Sequence, residues 1–487
     1  MPRPDPARTL LAAFLLLASL ESLADAATGD IVIEFDTPTG AAEMDTGQEI
    51  IIEPAPGAAG PADEFLIIDS SAPSAGPATE QAEDLAEPNA AVSFSVDDAR
   101  AELGVFTRSK APADRSAYGK LAVSAQWQAD PVWEIQVAGR VDGFHEHGDT
   151  GFTHVKGDYG DSYVRFRGDN LRLTLGAQTV IWGRLHEVPL SARVSTVDLT
   201  RLILDDIEDR RRANPMLRAE AFFGEGKLDL AWLVDFRAAE LPEQDSVWYP
   251  VDQRTGRLFG ISRSDVPPAL IRNAAIVEDE PDGDGGFGAR YTHSHSKADV
   301  GFTVARTRQS VPYFRLTPGG ELRTEYPRSW IYGADAALDA LGATWRVEFV
   351  YSSDNPVTRA DFSYTTVAAL NWGAGVEFHP GDGDTRVNLQ IVGANLIDAP
   401  SVLDRSETYS LNGQVEVPFD RERWRAKLAF SLGVGDKDVY LNPEVAFLGW
   451  EPHEIYLSAH YFDGAEQTLS GFYEDRDLIQ LGWRSRF

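Results

Sequence analysis

The chain has 487 residues, a formal charge of −32, 43% hydrophobic residues and no cysteine. So acidic a balance argues against nucleic acid as a partner, and without cysteine there are no disulfides, thiolate metal sites or lipoprotein anchor. No segment beyond the N-terminal leader approaches the roughly twenty apolar residues of a transmembrane helix, which leaves a soluble secreted protein or a β-barrel.

The leader reads as a signal peptide over 1–26. Arg3 and Arg8 form a basic region, Thr9 to Leu20 an apolar run, and Ala24-Asp25-Ala26 a small-residue cleavage site. Residues 27–99 follow with sixteen Asp and Glu and no Lys or Arg. Rich in Ala, Pro and Gly as well, this stretch cannot bury enough apolar area to offset its ordering entropy, which predicts a disordered acidic arm in the periplasm. Three apolar islands flanked by carboxylates interrupt it: Ile31 and Ile33; Ile50, Ile51 and Ile52; Phe65, Leu66 and Ile67. They read either as solubilised low complexity or as motifs that add strands to the sheet edge of a periplasmic protein. Such a run resembles the box by which outer-membrane receptors engage an energy-coupling protein, but the arm is too short and polar to be those receptors' folded plug.

From Arg100 to Phe487 apolar and polar residues alternate with period two. Leu121, Val123, Ala125 and Trp127 share one face, as do Leu171, Leu173 and Leu175, and Trp345, Val347, Phe349 and Tyr351. Short turns near 129–131, 168–170, 224–226, 296–298, 339–342, 379–384, 418–421 and 449–453 alternate with longer connections. That pattern belongs to an all-β, transmembrane, antiparallel up-and-down barrel with short periplasmic turns and longer external loops. The count is eighteen strands, or sixteen if the weak segments near 100–107, 155–167 and 328–338 are not strands. Trp127, Trp133, Trp182, Trp330, Trp424 and Trp483 are expected in aromatic girdles at the two interfaces. A barrel of this size encloses a wet lumen.

One connection, 184–214, is longer than a loop needs to be. Val197 to Arg212 carries Leu199, Leu202, Ile203 and Ile207 at helical spacing, with Ser195 and Asp198 as a capping box. The expectation is a helix that folds into the lumen and narrows it; the alternative is a helix capping the outer mouth. Asp205, Asp206, Glu208 and Asp209 run into Arg210, Arg211 and Arg212, while Arg165, Arg167 and Arg172 lie on strand faces opposite Val164, Phe166 and Leu171. Carboxylates across a narrow opening from an arginine row would set up a transverse field that sorts solutes by charge. The stretch Gly176 to Arg184, with its Trp182-Gly183 pair, followed by Asp198-Leu199, resembles porin-like proteobacterial outer-membrane proteins, in which a strand ends in Trp-Gly and an Asp-Leu helical insertion follows. That resemblance implies a channel and names no solute.

The loop 278–286 offers carboxylates for calcium but fits no strict ligand register. His293 and His295, and His145 and His147, lack an obvious third ligand. No Gly-x-Ser-x-Gly elbow occurs, so no catalytic, metal-ligating or cofactor-binding residue is expected. At the C-terminus, Ile479, Leu481, Trp483, Ser485 and Phe487 fall on one strand face. This resembles the closing strand of Gram-negative outer-membrane barrels, in which the terminal Phe and upstream aromatics, here Phe487 and Trp483, form the signal read by the barrel-assembly machinery. The sequence therefore predicts an outer-membrane porin-like channel for passive diffusion of small hydrophilic solutes, surrounded by outer-membrane lipids. The alternative is an outer-membrane component docked through its arm to a periplasmic transport machine; an outer-membrane enzyme is the least favoured reading. A homo-oligomer is left open.

Overall fold

The computed structural model describes residues 92–486 except 129, 150, 186–189, 208, 382–383 and 400. The leader and the arm motifs at Ile31, Ile33, Ile50, Ile51, Ile52, Phe65, Leu66 and Ile67 lie outside the described residues, as do Glu208 and Phe487.

Eighteen antiparallel strands close into one barrel. They are β1 Val92–Phe106, β2 Ala113–Gln128, β3 Trp133–Gly148, β4 in two pieces (Phe152–Tyr159 and Ser162–Arg167), β5 Leu171–Gln178, β6 Asn214–Phe223, β7 Gly226–Leu233, β8 Gly286–His295 and β9 Ala298–Arg308. The circuit continues with β10 Arg328–Ala340, β11 Ala343–Thr358, β12 Tyr364–Phe378, β13 Arg386–Ile397, β14 Glu407–Phe419, β15 Trp424–Gly433, β16 Asp438–Trp450, β17 His453–Gly464 and β18 Leu478–Ser485. Each strand pairs with its sequence neighbours, and β1 closes on β18 from Ala99↔Ser485 to Phe106↔Leu478. All three weakly patterned segments are strands, so the count of eighteen holds and sixteen does not. β4 is interrupted where Gly160 and Asp161 form a bulge. There the Ser162 hydroxyl bonds both the N–H and the C=O of Ala138, so the interrupted ladder loses no backbone partner.

The alternation sorts chemistry by side. Leu121, Val123, Leu173, Leu175, Val347 and Phe349 stay exposed on the outer wall. Their register neighbours Lys120, Arg172, Thr174 and Glu348 face the bore. Paired aromatics mark the rims: Trp133 packs on Phe166 with ring centroids 5.3 Å apart, and Trp424 on Phe447 at 5.0 Å. Trp182 is a correction. It is no girdle residue but lies inside the bore, 2% exposed.

At the long-loop end, residues 234–285 reach from β7 to the far wall. Trp248 packs there against Phe106 of β1 and Phe462 of β17. These residues join Tyr440, Phe472, Tyr473 and Leu478 in one apolar cluster.

Candidate functional site: a two-footed luminal insertion

β5 leaves the wall after Gln178. Asp161, exposed by the β4 bulge, accepts the Thr179 N–H at 2.8 Å and turns the chain inward. Trp182 then donates its indole N–H to Asp229 on β7 at 3.1 Å. Gly183 follows at φ +110°, and a Cβ there would stand 2.7 Å from a Glu348 carboxylate oxygen. Both the backbone angle and the closeness of that oxygen require glycine. Glu348, on β11 and 0% exposed, accepts backbone N–H bonds from Arg184 (3.2 Å), Leu185 (3.4 Å) and Ser191 (2.5 Å). The Trp-Gly pair is therefore the hinge that lets the main chain wrap a buried carboxylate.

Around this anchor the contacts are apolar. Leu185 and Leu190 pack on Ala305, Ile331, Val350 and Val392, from β9, β10, β11 and β13. Val180, Trp182 and Val194 pack on Met216, Ala231 and Leu233 of β6 and β7. Arg184 adds ion pairs to Asp335 at 2.8 Å and Asp299 at 3.1 Å. At roughly 2 kcal/mol per buried large apolar side chain, Trp182, Leu185, Leu190 and Val194 contribute on the order of 8 kcal/mol before ordering entropy.

The insertion then crosses the bore. A two-residue ladder, Thr196–Val197 with Arg211–Arg212, forms its neck. Beyond it most wall contacts become charged, while Leu202, Ile203 and Leu204 pack on the apolar cluster that includes Phe106, Tyr440 and Phe462. Asp198 pairs with Arg140 on β3, and Arg201 pairs with Glu102 on β1 while stacking 3.9 Å over the Tyr118 ring of β2. Asp205 meets Arg100 of β1 at 3.1 Å, and Asp206 meets Lys427 of β15 at 3.2 Å. Asp209 joins Arg100, Lys120 (3.6 Å) and Arg486 (3.2 Å), and Arg212 meets Asp158 of β4 at 3.0 Å. One segment thus touches β9 to β11 and β13 with an apolar foot and β1 to β4 and β15 with a charged foot, so it lies across the lumen.

The carboxyls of the charged foot differ in tuning. Lys427 holds Asp206 far below the usual carboxylate range, although 46% of that side chain remains accessible. Burial pushes Asp209 up, but Arg100 and Lys120 outweigh it and leave the group low. Burial lifts Asp205 above its ordinary value, even with Arg201 and Arg100 opposing it. Desolvation costs of this kind make buried ion pairs weak net contributors, so these pairs position the charged foot while Leu202, Ile203 and Leu204 supply its apolar hold.

Two expectations need correction. Val197 to Arg212 is not a helix. Its turns close Leu202 N–H on Leu199 O and Asp209 N–H on Asp206 O, and Leu202 has φ +52°, outside any right-handed helix. Neither proposed cap acts as one. Asp198 bonds the Thr200 N–H in a tight local turn, and the Ser195 hydroxyl bonds the Val180 backbone. The wall charges outcompete local helical spacing. Second, the arginine row does not face the insertion's acids. Arg165 (3.2 Å) and Arg167 pair with Glu134, and Arg172 pairs with Glu220 at 3.4 Å. These arginines do sit on the luminal face, but neighbouring strands neutralise them.

The Arg210 carbonyl accepts the Asp198 N–H, and Arg211 forms the neck with Val197. Arg100, Glu102, Lys120, Glu348 and Lys427 were missed. Each has an apolar neighbour along its strand, so strand parity carried the signal, although Ala426 and Leu428 beside Lys427 are themselves buried. His293 and His295 both lie near Glu225, at 3.7 and 3.6 Å.

A family model described as a protein of unknown function, DUF1302, matches residues 7–472. The chain belongs to that family. No curated protein matches it. Among solved structures, OmpF of Salmonella typhi, in complex with daunomycin, aligns over 81% of this chain and 97% of its own, at 8% identity and TM-score 0.43. OccAB1 of Acinetobacter baumannii aligns over 81% and 96%, at 9% identity and TM-score 0.48. Wzi of Escherichia coli, an outer-membrane carbohydrate-binding β-barrel involved in group 1 capsule assembly, aligns over 81% and 85%, at 12% identity and TM-score 0.41. The barrel assignment here rests on the strand pairing itself.

Proposed function

We propose that this chain is an outer-membrane channel through which small hydrophilic solutes diffuse passively, and that residues 184–214 are its constriction. An apolar outer wall, a charged bore and the closed ladder of β1 on β18 meet the requirements for spanning lipid with strands. In this orientation the short turns face the periplasm and the long loops face outward. The observation that carries the reading is the insertion's contact with opposite walls, because a segment so placed sets the width of any path past it.

The test shortens only the charged foot. Asp198 and Arg210 are joined by a backbone hydrogen bond of 2.7 Å, so residues 199–209 can be replaced by two glycines without stretching the neck. In planar bilayers the shortened protein should conduct in larger steps than the full chain. Equal step size in a heat-modifiable, folded barrel would overturn the assignment.

A further inference from the structure

Above the constriction, the long loop 234–285 inserts a side chain and two hydrogen-bond donors into the bore wall. The Trp248 indole is 4% exposed, with ring centroids 6.1 Å from Phe106, 5.9 Å from Phe462 and 5.7 Å from Tyr473. Beside it, Glu146 of β3 is buried and accepts two bonds from the same loop, the Ser246 hydroxyl at 2.9 Å and the Val247 N–H at 3.0 Å. A cavity of about 30 Å³ adjoins them, lined by Trp248, Ser246, Glu146, Phe144, Tyr118 and Arg201. A second, of about 20 Å³, lies toward Lys427 and Arg484 and shares Glu102, Leu204 and Gln480 with the first. Each has room for a water molecule, and Leu204 lines both.

Loop and wall meet like a ligand and its site. The loop supplies an aromatic ring to an aromatic pocket and two donors to a buried carboxylate. If residues 246–248 withdraw, the pocket loses its ring and Glu146 loses both donors of the loop. The group that best replaces both is an aromatic ring carrying an ammonium, since a charged donor makes the stronger bond to a carboxylate. Arg201 does not repel it, because Glu102 and Asp205 already neutralise that guanidinium. An aromatic carboxylate meets Glu146 as a like charge, and an aliphatic amine leaves the pocket of Phe106, Phe462 and Tyr473 unfilled.

We propose that this chamber binds aromatic amines, which displace the loop's own indole and donors and so enter the channel. The proposal deepens the channel reading and rests on it. Binding is nevertheless measured at equilibrium on detergent-solubilised protein, so its failure is distinct from a failure to conduct. Calorimetry on the unaltered protein compares tryptamine, indole-3-acetate and pentylamine. Tryptamine is expected to bind at least tenfold more tightly than either of the others. Trp248→Ala, which removes the competing ring, should tighten tryptamine at least tenfold, and Glu146→Gln should weaken it by as much. Equal affinity for the three probes overturns the proposal, as does a Trp248→Ala protein that binds tryptamine no better. If that variant does not fold, the probe series and Glu146→Gln decide.

Discussion

Removing the carboxylate of Glu348 should unseat the apolar foot. It accepts three backbone N–H groups, and each bond to a charged acceptor contributes about 1.5 kcal/mol at the lower end of the usual range. Some of that total is offset, because Glu348→Ala also abolishes the cost of burying the charge and because water can reach freed donors. A net loss of about 3 kcal/mol is reasonable, which multiplies the ratio of unseated to seated insertion by roughly 150. The backbone ladder of β11 with β10 and β12 is untouched, so the barrel itself should fold and retain its heat-modifiable migration. The assay is single-channel recording in planar bilayers over long traces, counting openings larger than the main conductance. Such openings should rise about a hundredfold in Glu348→Ala and less in Glu348→Gln, which keeps one acceptor oxygen. A folded Glu348→Ala barrel whose openings match the parent in size and number would refute the claim that this carboxylate seats the insertion.

Raising potassium chloride from 0.1 to 1 M shortens the Debye length from about 10 to 3 Å, and should increase brief large openings by loosening the charged foot; unchanged gating would show that the ion pairs do not hold it. The carboxyl of Asp206 is depressed by Lys427, so its contribution is complete above the ordinary carboxylate value and lost only as pH falls through the depressed one. Asp206→Asn should therefore increase openings as much at pH 4 as at pH 7, and an effect that fades by pH 4 contradicts the ion pair. Arg165→Ala, Arg167→Ala and Arg172→Ala together remove three luminal cations and both ion-pair partners of Glu134, while Glu220 keeps Arg218 and Lys227, so the reversal potential in a salt gradient should move toward cations; no movement would place these groups off the conducting path. Deleting residues 27–91 should leave solute permeability in swelling assays unchanged, whereas loss of transport with an intact barrel would favour docking through the arm.

The barrel was legible because its signals repeat. Leu121 to Trp127 alone is an ordinary amphipathic strand, but many such segments joined by alternately short and long connections specify a closed ring. The insertion's path was legible only in part. Its length and charge marked it as unusual, and Trp182-Gly183 marked where it leaves the wall. Its local conformation was not readable, because Leu199, Leu202 and Ile203 have helical spacing while Arg140, Arg100, Glu102 and Lys427, distant in sequence, decide where Asp198, Asp205, Arg201 and Asp206 go. The same limit applies to Arg165, Arg167 and Arg172. Parity placed them on the luminal face, but their partners depend on register between strands, which Glu134 and Glu220 settle.

The charged foot has a consequence for assembly. Asp205 and Asp209 lean on Arg100 in the first strand, Asp206 on Lys427 near the last strands, and Asp209 also on Arg486 just past β18. These partners become neighbours only once the two ends of the polypeptide have met. A contact with so long a loop to close forms late, so the segment that narrows the bore can dock fully only in a finished ring. Half-built barrels would leave it swinging free, and its arrest would report completion.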